Sequence, residues 1–258
     1  MKLNVLRADP AGNITLLVLD PVDVSRRAAI AARLMKLPGL GIEQVGFVCP
    51  PDAGCDGRME MMGGEFCGNA TRAYGLLVAR DMGGAERVRI QTSGCDRPVA
   101  VHADLAAGTA RADMPLPRYI RQVRAAAHSA VLVHLGGIAH LVVEDVEPSL
   151  TFVHEAEPDL QSIPDLDAYG AIFLRGDKLT PLVYVPATHS LVWEGSCGSG
   201  ALAAILAQSM DGADGEYVRD YIQSAGTVRA GVTWDRGKAT NAWIGGAVSL
   251  GEPFEVEL

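Results

Sequence analysis

The sequence has few basic residues and no run of them. Lys and Arg number 22 against 31 Asp and Glu, which gives a formal net charge of −9, and aromatic residues make up only 5% of the chain. Proteins that bind nucleic acids or anionic membranes present basic patches to them. The composition therefore argues against both partners and favours a function on small molecules.

Long apolar segments are absent as well. No apolar run approaches the roughly 20 residues that a membrane span requires. The opening segment MKLNVLRADP lacks the apolar core of a signal peptide. From the sequence we expect a cytoplasmic protein that has no membrane partner.

The cysteines follow no disulfide or metal-binding pattern. There are five, an odd number, at positions 49, 55, 67, 95 and 197, and no two of them form a Cys-x-x-Cys motif. Neither a disulfide framework nor a zinc site is indicated, so we expect no metal. We expect reduced thiols, some of them reactive.

A weak internal repeat is the most informative feature that is present. The chain has 258 residues, 48% of them hydrophobic, which is enough for two small lobes with cores. Thr15 to His140 spans 125 positions and Cys67 to Cys197 spans 130, so similar segments recur in the same order at similar offsets. The matched segments are 11–20 with 136–145, 44–48 with 169–174, and 66–70 with 196–200.

The two prolines of Pro115-Leu116-Pro117 interrupt any helix or strand, so we place the boundary between the repeats at this segment. We predict an N-terminal lobe, 1–117, with Cys67 and a C-terminal lobe, 118–258, with Cys197. The sequence leaves open whether the last strand belongs to the first lobe. Helices are predicted at 24–36, 68–80 and 198–209. Strands are predicted at 14–19, 45–49, 87–92, 99–104, 131–135, 140–144, 171–175, 182–186, 227–233 and 241–248. The predicted fold class is α+β.

Cys67 and Cys197 each precede a Gly, a small polar residue and an Ala-rich helix. Free N–H groups and the positive end of the helix dipole at such a position lower the pKa of a thiol. The same N–H groups can bind a carboxylate. Two such thiols on opposite sides of one carbon would exchange its proton and invert it without a cofactor. Either cysteine alone is also explained by packing, whereas the duplication favours a paired function.

These motifs resemble the diaminopimelate epimerase superfamily. The matching segments are Gly12-Asn13, Gln44, Glu65-Phe66-Cys67-Gly68-Asn69-Ala70-Thr71-Arg72 and Glu194-Gly195-Ser196-Cys197-Gly198-Ser199-Gly200-Ala201. The resemblance implies two pseudo-symmetric lobes, each a mostly antiparallel sheet wrapped around a central helix. It also implies an isomerase that needs neither pyridoxal phosphate nor a metal.

The departures from that superfamily bear on the substrate. Diaminopimelate epimerases carry an Asn where Gly137 stands here and a Glu-Arg pair where Thr188-His189 stand. The arginine that would bind a second carboxylate is missing, so diaminopimelate is disfavoured.

The chain is more similar still to the histidine racemases of staphylopine-type metallophore pathways. This similarity lies in 13–18, 43–47, 64–71, 93–95 and 190–194. It implies conversion of L-histidine to D-histidine for metallophore biosynthesis, with Glu43 facing the imidazole in place of the arginine.

The sequence therefore nominates Cys67 and Cys197 as the catalytic pair. The candidate substrate-binding residues are Asn13, Glu43, Gln44, Gly68, Asn69, His189, Glu194, Gly198 and Ser199. Several have simpler explanations, because Glu43 and Glu194 also suit a solvated surface, Asn13 a turn, and His189 a structural role. Cys49, Cys55 and Cys95 are assigned to packing or loops, and His140 to a structural or supporting position.

Two other functions remain open at this point. One is a racemase or epimerase of the same superfamily that acts on another neutral or basic amino acid. The other is a non-catalytic amino-acid-binding protein of the same fold, against which the presence of both cysteines argues. A phenazine-biosynthesis-type isomerase is disfavoured because that group lacks the cysteine pair. The only partner expected is a small amino-acid substrate, and a homodimer is left open.

Overall fold

A computed structural model describes residues 1–164, 166–186 and 189–258. Most of the regular structure in these ranges is β-strand, with four helices. The helices are α1 (Val24–Leu34), α2 (Gly68–Asp81), α3 (Leu150–Gln161) and α4 (Gly198–Ser209). The strands are β1 (Lys2–Asp9), β2 (Thr15–Val18), β3 (Gln44–Cys49), β4 (Gly57–Met61), β5 (Arg87–Thr92), β6 (Val99–Asp104), β7 (Thr109–Asp113), β8 (Tyr119–Ala125), β9 (His128–His134), β10 (Ile138–Glu144), β11 (Ala168–Arg175), β12 (Lys178–Val185), β13 (Ser190–Trp193), β14 (Gly215–Ile222), β15 (Thr227–Asp235), β16 (Lys238–Ala247), β17 (Ser249–Leu250) and β18 (Phe254–Glu257).

Internal contacts divide the described chain into two compact units. Unit 1 contains Met1–Asp113 together with the C-terminal segment Gly245–Leu258, and unit 2 contains Met114–Ile244. The C-terminal strands belong to unit 1 because β17 and β18 both pair with β1 in antiparallel orientation.

Unit 1 is a mixed sheet with a buried helix. The β1–β2, β3–β4, β5–β6 and β6–β7 pairs are antiparallel, whereas β2–β3 and β4–β5 are parallel. Helix α2 packs against β4, β5, β6 and β7, and every residue from Gly68 to Ala79 is buried. Its small residues allow this close approach. Gly75 is the tightest point, since a methyl group there would lie 2.6 Å from Cγ1 of Val101.

Unit 2 repeats this arrangement. The β9–β10, β11–β12 and β14–β15 pairs are antiparallel, whereas β10–β11 and β12–β14 are parallel. Helix α4 packs against β9, β10, β11, β14 and β15 within a core that includes Tyr221 and Trp234. A separate core forms around α3, where Phe152 packs edge-on against Phe173 with ring centroids 5.4 Å apart.

The two units therefore share one succession of strand pairings. Along each unit, five successive strand pairs alternate between antiparallel and parallel, beginning and ending with an antiparallel pair. In each unit a helix whose N-cap residue is a cysteine lies in the chain between the two strands of the second parallel pair. The predicted helices after Cys67 and Cys197 are confirmed. None of the helices in the described ranges has the length and apolar character needed to cross a membrane.

Candidate active site

Cys67 is the N-cap residue of α2. Its backbone is extended, with φ −126° and ψ 109°, and its sulfur accepts a hydrogen bond from the Ala70 N–H at 3.4 Å. The Cys67 carbonyl accepts the first backbone hydrogen bond of the helix, from the Thr71 N–H at 2.9 Å. The thiol is half-buried. It thus lies against the N–H groups of the first helical turn, as an N-cap side chain does.

A polar network in unit 1 surrounds this sulfur. The Gln44 side-chain amide donates to Asn13 Oδ1 at 2.6 Å and to Thr15 Oγ1 at 2.8 Å. Asn13 Nδ2 donates to Glu43 Oε2 at 2.9 Å, and the Cys67 sulfur lies 3.9 Å from Asn13 Oδ1. Glu43 is exposed and Gln44 is buried. The structure therefore brings together Asn13, Glu43, Gln44 and Cys67, four of the nominated residues.

Cys197 occupies the corresponding position at the start of α4 in unit 2. It is the N-cap residue, with φ −115° and ψ 109°, and its sulfur accepts from the Gly200 N–H at 3.3 Å. Gln223 holds the backbone in place, because its Oε1 accepts from the Cys197 N–H at 2.7 Å and its Nε2 donates to the Cys197 carbonyl at 3.2 Å. Sequence reasoning missed Gln223, since nothing in the surrounding segment marks it.

Ser199 and His140 extend the polar surroundings of Cys197. The Ser199 hydroxyl lies 3.4 Å from the Cys197 sulfur and 2.9 Å from Nε2 of His140. His140 is completely buried. Glu194 also acts on this thiol, through a side-chain hydrogen bond and through its charge. Of the nominated residues in unit 2, Ser199 and Glu194 therefore contact Cys197.

Burial dominates the acidity of both thiols. Burial raises the pKa of Cys67, although the Ala70 N–H and the Gln44 amide oppose the rise. Burial raises the pKa of Cys197 well above its usual value, and the negative charge of Glu194 raises it further. The prediction that each thiol has a lowered pKa is therefore wrong. The N–H groups at the helix start do lower the pKa, but desolvation raises it by more.

The remaining nominated residues have different surroundings. Gly68 and Gly198 are the first, buried residues of their helices. Asn69 is buried, and its Oδ1 accepts from Nε of Arg72 at 3.2 Å. His189 is exposed, with φ 50° in the left-handed region, and its Nδ1 lies 3.3 Å from the Tyr184 hydroxyl. Thr188 lies outside the described residues.

The other three cysteines are partly buried free thiols. Burial raises the pKa of Cys95 to about 11 and also raises that of Cys49. None of the three is the N-cap residue of a described helix, since those helices begin after Asp23, Cys67, Ser149 and Cys197. Their assignment to packing or loop positions stays a prediction.

Comparison with known proteins supports an isomerase. A family model described as "Histidine racemase CntK N-terminal domain" matches residues 2–252. A histidine racemase of Fusobacterium nucleatum subsp. nucleatum is 32% identical over 215 residues, which cover 78% of this chain and 78% of the relative. A histidine racemase of Staphylococcus aureus is 30% identical over 216 residues, covering 74% of each chain.

Solved structures share the fold at low sequence identity. A phenazine biosynthesis protein of the PhzF family from Bacillus anthracis has a TM-score of 0.71 and 16% identity, with full coverage of both chains. A probable proline racemase from Agrobacterium radiobacter K84 has a TM-score of 0.66 and 13% identity, covering 99% of this chain and 93% of that one. These matches concern the fold, whereas the family match covers nearly the whole sequence. The chain therefore belongs to the histidine racemase CntK family and is an amino-acid racemase.

Proposed function

We propose that this chain racemises histidine and that Cys67 and Cys197 are the two groups that exchange the α-proton. The observation that carries the proposal is the equivalent placement of the two thiols. Each is the N-cap residue of the buried central helix of its unit and accepts an N–H from the third residue after it. Packing alone does not require the same polar geometry twice.

The proposed reaction starts with one cysteine as a thiolate and the other as a thiol. The thiolate removes the α-proton, and the electron pair of the broken C–H bond moves into the carboxylate, which becomes enediolate-like. The thiol then delivers its proton to the opposite face of the α-carbon, so the stereocentre inverts and the two sulfurs exchange protonation states. Both sulfurs must reach the same α-carbon for this to occur. Free N–H groups at a helix start would stabilise the charge that develops on the carboxylate.

Cys67 is the thiol that is proposed to lose its proton first. Its sulfur is half-buried, and the Ala70 N–H and the Gln44 amide lower its pKa, whereas the charge of Glu65 raises it. Cys197 is buried beside the carboxylate of Glu194. Glu194 disfavours the Cys197 thiolate both through its charge and through a hydrogen bond to the sulfur, and Cys197 is the more buried thiol, so the first proton is lost from Cys67.

Glu43 supports histidine as the substrate. Its carboxylate is exposed, and Asn13 connects it to the Cys67 sulfur through one hydrogen bond and one longer contact. A carboxylate at this position can accept a hydrogen bond from an imidazole or pair with an imidazolium. The relatives named histidine racemase agree with this choice. Racemisation of another neutral or basic amino acid is the alternative.

Other sequence-based predictions complete the proposal. The two units are the proposed duplicated lobes, since they share a pairing order and a cysteine at the start of the central helix. Gly68, Asn69, His189, Gly198 and Ser199 stay predicted substrate-binding residues. A role in metallophore biosynthesis, a cytoplasmic location and a homodimer also stay predictions.

The decisive experiment incubates a panel of L-amino acids with the enzyme in deuterium oxide and scores α-deuteration and chirality. We expect deuterated D-histidine to form faster than any other D-amino acid. Cys67→Ser and Cys197→Ser should each abolish racemisation, while Cys55→Ser, a control at a partly buried loop position, should leave it intact. Full racemisation by either single mutant at an active-site position contradicts the two-thiol proposal, and preference for another amino acid contradicts the substrate.

A further inference from the structure

A buried histidine contacts the neighbour of Cys197. His140 lies in β10 with no solvent exposure, and its Nε2 is 2.9 Å from the Ser199 hydroxyl. Its other ring nitrogen, Nδ1, is buried and has no hydrogen-bond partner among the residues that the structure describes. This asymmetry fixes where the ring proton resides.

These contacts favour a neutral imidazole that carries its proton on Nε2. Burial lowers the pKa of His140 to about 4, so one ring nitrogen alone is protonated at neutral pH. A proton on Nδ1 would leave a buried N–H without an acceptor, which is rarer and more costly than an unused acceptor. With the proton on Nε2, His140 donates to the Ser199 oxygen.

This tautomer sets the direction of the next hydrogen bond. Because the Ser199 oxygen accepts from His140, its own proton is free to point at the Cys197 sulfur, 3.4 Å away. The sulfur also accepts the Gly200 N–H at 3.3 Å. Two donors therefore converge on the sulfur of a residue that is only 5% exposed.

We propose that His140 is a positioning residue that holds the Ser199 hydroxyl as a donor to the Cys197 sulfur and so stabilises the buried thiolate. The inference rests on the proposed function, in which Cys197 alternates between thiol and thiolate. When the thiol gives its proton to the carbanion, the thiolate keeps both donors, and Ser199 and His140 keep their own protons. No proton moves along the chain, so the step balances with the two cysteines alone.

The arrangement is specific to Cys197. At Thr15, the position of unit 1 that the repeat matches to His140, a hydroxyl accepts from Gln44 and there is no imidazole. Glu194 is the charged group that acts on Cys197 in the opposite sense, because its carboxylate disfavours the thiolate. Glu65 also raises the pKa of Cys67 through its charge, but Glu194 acts on Cys197 through both its charge and a side-chain hydrogen bond, and His140 and Ser199 oppose that effect.

The test measures the acidity of Cys197 without substrate. In a Cys67→Ser background, the rate of Cys197 alkylation by iodoacetamide is followed against pH by peptide mass spectrometry. Loss of one hydrogen bond to a charged group should raise the pKa by about one unit, so Ser199→Ala and His140→Leu should each slow alkylation about tenfold below the midpoint. His102→Leu, which replaces an exposed histidine of β6, should change nothing.

The double variant decides whether His140 acts through Ser199. We expect Ser199→Ala/His140→Leu to be no slower than Ser199→Ala, because the two changes remove one hydrogen-bond chain. In the two-thiol enzyme, His140→Leu should lower kcat for histidine about tenfold with little change in KM. A further slowing in the double variant, or unaltered alkylation in Ser199→Ala, overturns the proposal. Ser199→Ala keeps the test valid if His140→Leu fails to fold.

The outcomes separate this inference from the proposed function. If Cys197→Ser still racemises histidine, the two-thiol proposal fails, whatever the alkylation data show. If Cys197→Ser is inactive and the alkylation rates are unchanged in Ser199→Ala, the two-thiol proposal stands and the role of His140 fails.

Discussion

Asn13 donates its side-chain N–H to the carboxylate of Glu43 at 2.9 Å. The same side chain presents its oxygen to Gln44, at 2.6 Å, and to the Cys67 sulfur, at 3.9 Å. One amide therefore connects an exposed carboxylate with a nominated catalytic thiol. Its orientation is fixed, because Gln44 Nε2 can only donate and so requires the oxygen of Asn13 on that side.

The first prediction concerns this bridge. Asn13→Ala should raise KM for histidine about tenfold, because Glu43 loses the donor that holds it. Asn13→Asp should be at least as harmful, since it places a second carboxylate against Glu43. Steady-state kinetics of D-histidine formation give both values. Asn241→Ala, at an exposed position of β16, is the control, and a KM for Asn13→Ala equal to that of this control removes Asn13 from the site.

Much of this geometry follows from the sequence, and some does not. The repeat predicted two equivalent cysteine turns because a duplicated backbone places equivalent residues alike. Helix α3, which contains Pro158, was not among the predicted helices. The buried residues Phe152, Val153, Ala156 and Leu160 nevertheless follow helical spacing and would have revealed it.

The acidity of the thiols was harder to predict. The helix starts were visible in the sequence, so the direction of the N–H contribution was correct. Burial of the sulfurs depends on strands that are distant in sequence, and burial decides the net effect. The contact of His140 with Ser199 likewise joins β10 to α4 across 59 positions, a distance that local patterns do not bridge.

A second prediction tests Glu43 as a specificity residue. Glu43→Gln should lower kcat/KM for histidine about tenfold, because the amide cannot pair with an imidazolium. Turnover of a small neutral amino acid such as alanine should change much less. The comparison uses Glu86→Gln, an exposed glutamate of unit 1, as the control. Equal losses for both substrates would mean that Glu43 does not recognise the imidazole.

The third prediction is the pH dependence of the reaction. Burial raises the pKa of both thiols, so the thiolate is a minor form at neutral pH and its fraction grows about tenfold for each pH unit below that pKa. We expect log kcat/KM for histidine to rise with unit slope from neutral to mildly alkaline pH. A flat profile over this range would show that the required thiolate is already formed.

The fourth prediction orders the two thiols. As the pH rises, iodoacetamide should modify Cys67 before Cys197, because Cys67 is half-buried whereas Cys197 is buried and hydrogen-bonded to the carboxylate of Glu194. Peptide mass spectrometry after short exposures distinguishes the two sites. Earlier modification of Cys197 would reverse the proposed order of proton loss.

The last prediction concerns the packing that holds the Cys67 helix. Gly75→Ala in an open helix would gain about 1 kcal/mol from helix propensity. Here the new methyl group would lie 2.6 to 2.8 Å from three side-chain carbons of Val101, and overpacking of this kind costs about 1 to 3 kcal/mol. Repulsion from a buried, branched side chain outweighs the propensity, so Gly75→Ala should lower the free energy of unfolding.

Val101→Ala tests whether repulsion from the Val101 side chain is what makes Gly75→Ala destabilising. Alone it should destabilise unit 1 by about 2 kcal/mol, because it leaves a cavity next to α2. Combined with Gly75→Ala it should cost less than the sum of the single variants, since the methyl group added at position 75 then fills part of that cavity. Urea unfolding of the four proteins measures the coupling. If Gly75→Ala alone stabilises the protein, then α2 has room to move away from β6, and the position of Cys67 is not fixed by this contact.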